Sequence, residues 1–204
     1  MTSTALTGRT EPWFAAAFPR RLREDVQAVV ELLPPPRTGP SSSTFSVELD
    51  GGPVTIPYRI DSEEPPAELG DRLSVTQLAI LDCLYTRHQD GRVRQRRLAQ
   101  VIGLDEPWVV PFVVRLVGEY VVEILLDIRR ELGEIEDPGT PQHATYGRVL
   151  AANPSFLALT GQRMASYWNC YHRFPYADRR GYPGYSLMAS LRAAARCYGE
   201  NGRG

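Results

Sequence analysis

Along this 204-residue chain the spacing of apolar positions changes several times, and each change predicts a different element. Residues 1–11 carry no period and read as a tail. Across 12–33, Phe14, Phe18, Leu22, Val26, Val29, Val30 and Leu33 recur at helical spacing. Pro19 should divide that stretch into a short turn and a longer helix, because proline suits a helix start and disrupts a helix interior. "PPPRTGPSSS", residues 34–43, is a linker by composition. Over 44–60 the period drops to two. Phe45, Val47 and Leu49 alternate before Asp50-Gly51-Gly52, and Val54, Ile56, Tyr58 and Ile60 alternate after it. That pattern predicts a β-hairpin. Its second strand belongs at an edge, since Pro53 and Pro57 cannot donate to a ladder. A lone hairpin is marginal in water, so helices must give it a surface.

Residues 61–133 read as a helical core. "LSVTQLAILDCLYTRH" opens with a capping box, Ser74 accepting from the backbone at Gln77 and the Gln77 side chain reaching back. Asp90-Gly91 should end that helix. "RVRQRRLAQVIG" is a second helix closed by Gly103, and Asp105 can cap a third. "DEPWVVPFVVRLVGEYVVEILLDIRREL" comes next, apolar almost all round. Taken as one buried helix from near Pro107 or Pro111 to Gly133, it places Arg115, Glu119, Glu123 and Asp127 in a single stripe. Glu119, Glu123 and Asp127 would then form a buried acidic stripe. Such like-charged pairs cost a few tenths of a kcal/mol each. Arg92, Arg94, Arg96 and Arg97 are the nearest cations in sequence that could offset that cost. Valine favours extended chain, which keeps a β-ribbon over residues 119–128 as the alternative.

"DGRVRQRRLAQVI" between two apolar helices resembles a HEAT-type helical repeat over residues 74–132. That resemblance implies helix stacking and protein binding rather than chemistry. The order "LSVTQLAIL", "RRLAQVIGLDEPWVV", "RLVGEYVV" is also similar in spacing to a winged-helix regulator over residues 73–128. There, residues 107–117 would enter the major groove, yet they offer Arg115 alone for reading bases. The fold class expected is therefore mainly α: a compact HEAT-like bundle with one small β-hairpin, and a winged-helix α+β fold as the alternative.

Residues 134–204 form a basic, aromatic helical region expected to pack on the core as one domain. Asn153 before Pro154 is a helix start, and "SLMASLRAAARCYG" is a last amphipathic helix. Arg163, Tyr167, Trp168, Arg173, Tyr176, Arg179, Arg180 and Tyr182 interleave rings with guanidinium groups. With Arg92, Arg94, Arg96 and Arg97 they make the candidate interaction surface. Large aromatics and arginine anchor protein interfaces; the same pairing also stacks on single-stranded nucleic acid.

Charge and chemistry then narrow the function. All 23 basic residues are arginine, which excludes a Walker-type phosphate loop and Schiff-base catalysis. Residues 1–137 hold 15 Arg against 22 acidic residues, and residues 138–204 hold 8 against 2. Two oppositely charged halves can attract each other within or between chains. Cys83, Cys170 and Cys197 form no disulfide framework. Cys83, His88, Cys170 and His172 lack zinc spacing, Cys170 and His172 lie on different faces of a helix, and no hydrolase or dinucleotide motif is present. No signal peptide or membrane-spanning run stands out, so a cytoplasmic location is expected. The expectation is a non-enzymatic interaction or assembly subunit without metal or cofactor, binding a protein partner or another copy of itself. A nucleic-acid-binding regulator is the alternative and an unusual enzyme the second alternative. No membrane partner is expected.

Overall fold

A computed structural model describes residues 14–34, 37 and 43–199. The expected tail and most of the 34–43 linker fall outside them. The chain is mainly helical with a single two-stranded antiparallel hairpin among the described residues. It divides into two compact units, Met1–Val101 and Ile102–Gly204.

In the first unit the hairpin is β1 (Thr44–Leu49) and β2 (Gly52–Pro57), with Phe45 opposite Ile56 and Val47 opposite Val54. Gly51 and Gly52 take φ of 99° and 116°, the left-handed region that a tight turn needs and a side chain resists. Phe45, Val47, Val54 and Ile56 are buried, so the alternation read from the sequence is the alternation observed. β2 is the predicted edge strand, but its outward Thr55 N–H donates to the Ala16 carbonyl at 2.7 Å, which closes part of that edge. Pro19 introduces a 3-10 turn, Arg20–Leu22, and α1 (Arg23–Leu32) continues from it, burying Val26 and Val29. It packs on α2 (Val75–Tyr85), which carries the capping box, Gln77 N to Ser74 Oγ at 3.2 Å and Ser74 N to Gln77 Oε1 at 3.1 Å. α3 is Gly91–Val101. Asp90 was expected to close α2; instead α2 stops at Tyr85 and the Asp90 carboxylate accepts from Arg92 N at 2.8 Å, opening α3.

The second unit contains the valine-rich stretch. α4 (Val110–Val117) is buried at every position, but the expected single rod is broken. α5 (Val122–Glu131) begins after a turn at Gly118–Val121, so residues 119–128 hold a turn and a helix rather than a ribbon. Gly118 explains the break. A Cβ there would lie 3.2 Å from the Thr160 carbonyl and 3.3 Å from Arg163 Cβ, so the turn backbone rests directly on the helix carrying those residues. Restarting on a new axis turns Ile124, Leu125 and Ile128 inward and leaves Glu123 and Leu126 exposed. Asp105 does not cap α4; Val109 is its N-cap, without a side-chain bond, and the Glu106 carboxylate takes Trp108 Nε1 at 2.9 Å.

α6 (Pro141–Ala152) starts on Thr140, whose hydroxyl accepts from His143 N at 3.1 Å. α7 (Pro154–Tyr167) starts where Asn153-Pro154 indicated, although the Asn153 amide donates back to Val149 O at 2.8 Å rather than capping α7. A π-helical turn, Trp168–His172, extends α7, and α8 (Pro183–Gly199) closes the unit. Helices α4 to α7 all touch α8. The closest pair is α6 on α8: a Cβ at Gly147 would meet Tyr198 Cδ2 at 2.4 Å and the Ala194 carbonyl at 2.9 Å. No helix among the described residues is long and apolar enough to cross a membrane.

This division reframes the charge asymmetry. Met1–Val101 holds 12 Arg and 13 acidic residues, and Ile102–Gly204 holds 11 of each. The acidic stretch 105–137 and the basic stretch 138–204 thus belong to one unit, where α5 packs on α8 and Ser190 Oγ donates to Glu136 Oε1 at 2.7 Å.

Candidate interaction face

The π-helical turn organises the most unusual surface of the second unit. One extra residue in a helical turn rotates the residues beyond it, and such bulges are common at functional sites. Here Tyr167 and Tyr171 come beside Tyr120 of the Gly118–Val121 turn, the three ring centroids lying 6.0, 6.0 and 6.2 Å apart. Because a carbonyl can only accept, His172 Nε2 donates to Tyr120 O at 2.6 Å, tying the turn to the π segment. Arg163 lies 5.6 Å over the Tyr167 ring, and its Nη2 donates to the Tyr167 hydroxyl at 3.2 Å.

The expected footprint separates into two layers. Trp168 and Tyr182 point inward and are buried. Trp168 Nε1 donates to Tyr176 O at 3.0 Å, its ring meets Tyr185 edge-on at 5.7 Å, and the Arg179 guanidinium sits 5.0 Å above it. Tyr182 stacks on His172 at 5.3 Å and meets Tyr176 edge-on at 5.4 Å. Burial, with the neighbouring Tyr176 and Tyr185 phenols adding to it, pushes the Tyr182 hydroxyl up to about 12, and that hydroxyl has no hydrogen-bond partner. Those rings form the core beneath the face. Arg173, Arg179 and Arg180 stay exposed at its edge, with Asp178 Oδ1 accepting from Arg180 N at 3.0 Å.

Three aromatics outside the expected footprint form the outer layer: Phe174 is 98% exposed, Tyr171 66% and Tyr120 47%. Nothing in their spacing marks them, because exposure here depends on how the π segment and the Gly118–Val121 turn meet.

The other sequence candidates occupy structural positions. Arg94 is wholly buried and its Nη1 donates to the carbonyls of His88 at 2.9 Å and Gln89 at 2.8 Å. Arg97 reaches Asp82 at 2.9 Å and Glu64 at 3.2 Å and lies 5.4 Å over Tyr85, while Arg96 pairs with the other Glu64 oxygen. The cluster was expected to offset Glu119, Glu123 and Asp127; its acidic partners are Glu64 and Asp82. Arg92 is exposed. Burial raises the Asp82 carboxyl above its ordinary value, and the Arg97 hydrogen bond and charge oppose that rise. Of the acidic stripe only Glu119 is buried. Glu123 faces solvent, and Asp127 is half-buried and pairs with Arg130 at 3.1 Å, since the break at Gly118 takes these residues off a common helix.

His88 Nδ1 accepts from Asp90 N at 3.0 Å, so Nε2 carries the proton and donates to Ser62 O at 2.9 Å. Cys83 is buried, which drives its thiol well above the ordinary range. Among the described residues no group of three or more His, Cys, Asp or Glu is placed to hold a metal ion. No family model, no curated protein and no solved structure matches this chain.

Proposed function

We propose that this protein is a non-enzymatic interaction subunit whose second unit docks a protein partner through Tyr120, Tyr171 and Phe174. The carrying observation is Phe174. A large apolar ring held almost wholly in water, three residues along the chain from the exposed Tyr171, is the anatomy of an interface anchor. Arg173, Arg179 and Arg180 flank it, which favours an acidic partner surface and disfavours two copies meeting face to face, arginine against arginine. Nucleic acid is the second reading: Trp168 and Tyr182, expected to stack on bases, spend their faces inside the core, which leaves Tyr120, Tyr171 and Phe174 as the exposed rings.

The test pairs two measurements on the full chain and on a Tyr171→Ser/Phe174→Ser variant. One is quantitative capture from native lysate; the other is titration with a fluorescent single-stranded oligonucleotide at low salt. The proposal expects one protein retained by the parent and lost by the variant. Salt-sensitive oligonucleotide binding that the variant loses would replace it with the nucleic-acid reading.

A further inference from the structure

A second feature of the same unit is independent of the aromatic face. Where α6 turns sharply into α7 at Asn153, the two helices leave a cavity of about 640 Å³ against α8. Leu150, Leu157, Ala158 and Ala195 line this open cleft with apolar surface, and Arg192 and Arg196 line it with charge. The alanines are what leave the space, since larger side chains there would fill it. Among the described residues no acidic side chain lines the cavity.

Arg192 and Arg196 stand one helical turn apart, where like charges repel. Gly161 lets Arg192 approach α7 closely, its Nη2 lying 2.5 Å from where a Cβ would stand. Neither guanidinium has a hydrogen bond, ion pair or ring contact among the described residues. An apolar floor bounded by paired cations is complementary to a molecule with an alkyl body and an anionic end. Its volume falls within the roughly 300–1,000 Å³ of small-molecule sites, where a few polar groups orient an otherwise apolar ligand.

We propose that this cavity binds a fatty-acid carboxylate, with its alkyl chain on Leu150, Leu157, Ala158 and Ala195 and its carboxylate between Arg192 and Arg196. Guanidinium groups suit that head group because their paired N–H donors match a carboxylate. Each added methylene should tighten binding by about two- to fourfold, the upper figure being full burial.

Calorimetric titration of the full chain with octanoate, decanoate and dodecanoate, each below its micelle concentration, tests this. One saturable site that tightens with chain length is expected. Decanol and decyltrimethylammonium should bind at least tenfold more weakly than decanoate. Arg192→Gln/Arg196→Gln, two exposed positions, should weaken decanoate tenfold or more, and Ala158→Phe should abolish the site while circular dichroism stays unchanged. Tyr171→Ser/Phe174→Ser should bind decanoate as the parent does. Absence of saturable binding, equal affinity for decanol, or insensitivity to the arginine pair would each overturn the proposal. Loss of binding in the Tyr171/Phe174 variant would overturn it too, by moving the ligand to the aromatic face.

Discussion

Two glycine-to-alanine substitutions in the second unit should move stability in opposite directions. Both sites are interior to helices, Gly147 in α6 and Gly161 in α7, so helix propensity alone predicts that each gains about 1 kcal/mol. Packing separates them. At Gly147 the new methyl would meet Tyr198 Cδ2 at 2.4 Å and Cε2 at 2.6 Å, and the Ala194 carbonyl at 2.9 Å. The ring can shift; the carbonyl belongs to α8 backbone and can move only if the helices part. Overpacking of that kind costs about 1–3 kcal/mol, and backbone contact puts this site at the upper end, which leaves Gly147→Ala destabilised by up to about 2 kcal/mol net. At Gly161 the obstacles are Arg192 Nη2 at 2.5 Å and Met188 Cε at 3.1 Å, both the far ends of flexible side chains, and Arg192 is exposed. Gly161→Ala should therefore keep about 0.5–1 kcal/mol of the propensity gain. Urea midpoints of the two variants and the parent, with slopes compared to confirm an unchanged unfolding transition, supply the measurement. If both substitutions stabilise, the close approach of α6 to α8 is refuted. If both destabilise, the flexibility assigned to Arg192 and Met188 is wrong.

Three further predictions rest on separate observations. Tyr182→Phe removes a buried hydroxyl that has no partner, so it should be neutral or stabilise by about 1–2 kcal/mol. Because the folded phenol is raised to about 12, above its ordinary value near 10, the parent's contribution is complete below pH 10 and lost as pH rises toward 12. The variant should lack that alkaline loss in a thermal-melt series, and a variant less stable by 1 kcal/mol at neutral pH would refute the assignment. Asp82 is also raised, by burial, so its contribution is greatest below an ordinary carboxyl value of about 4 and declines as pH climbs through the folded value. Parent stability should accordingly fall relative to Asp82→Asn between pH 4 and neutrality, and a difference that grows the other way would show that Arg97 dominates. Arg94→Met keeps the buried stem but strips a donor from the His88 and Gln89 carbonyls, and should cost about 2–4 kcal/mol in chemical denaturation; a loss under 1 kcal/mol would mean water takes over both carbonyls.

The contrast between what the sequence discloses and what it hides has a physical origin. Local chemistry is legible: the period-two runs around Gly51-Gly52 are the hairpin, Pro19 starts a turn, and Ser74 with Gln77 makes the capping box. Each depends on residues within a few positions of one another. The break at Gly118 depends on how closely that backbone approaches Thr160 and Arg163, some forty residues away; the glycine is visible in the valine-rich stretch, but the contact that requires it is not. The interaction face obeys the same rule. Mixing arginine with aromatics singled out residues 163–182, where Trp168 and Tyr182 are spent inside, while Tyr171 and Phe174, with Tyr120 of the preceding turn, are the exposed rings. The sign of Asp90 was ambiguous for a simpler reason: a residue between two helices can close one or cap the next, and here it caps the next.

Whether Phe174 marks a protein-docking face is tested most directly by photo-crosslinking in native cells. A photoreactive phenylalanine analogue replaces Phe174 in one chain and Val75, an equally conspicuous apolar residue at 81% exposure in the first unit, in a second. A docking face predicts one discrete protein adduct from position 174, abolished by Tyr171→Ser in the same chain, and only diffuse labelling from position 75. Equal, diffuse labelling from both positions, or an adduct at 174 that is nucleic acid, would contradict it.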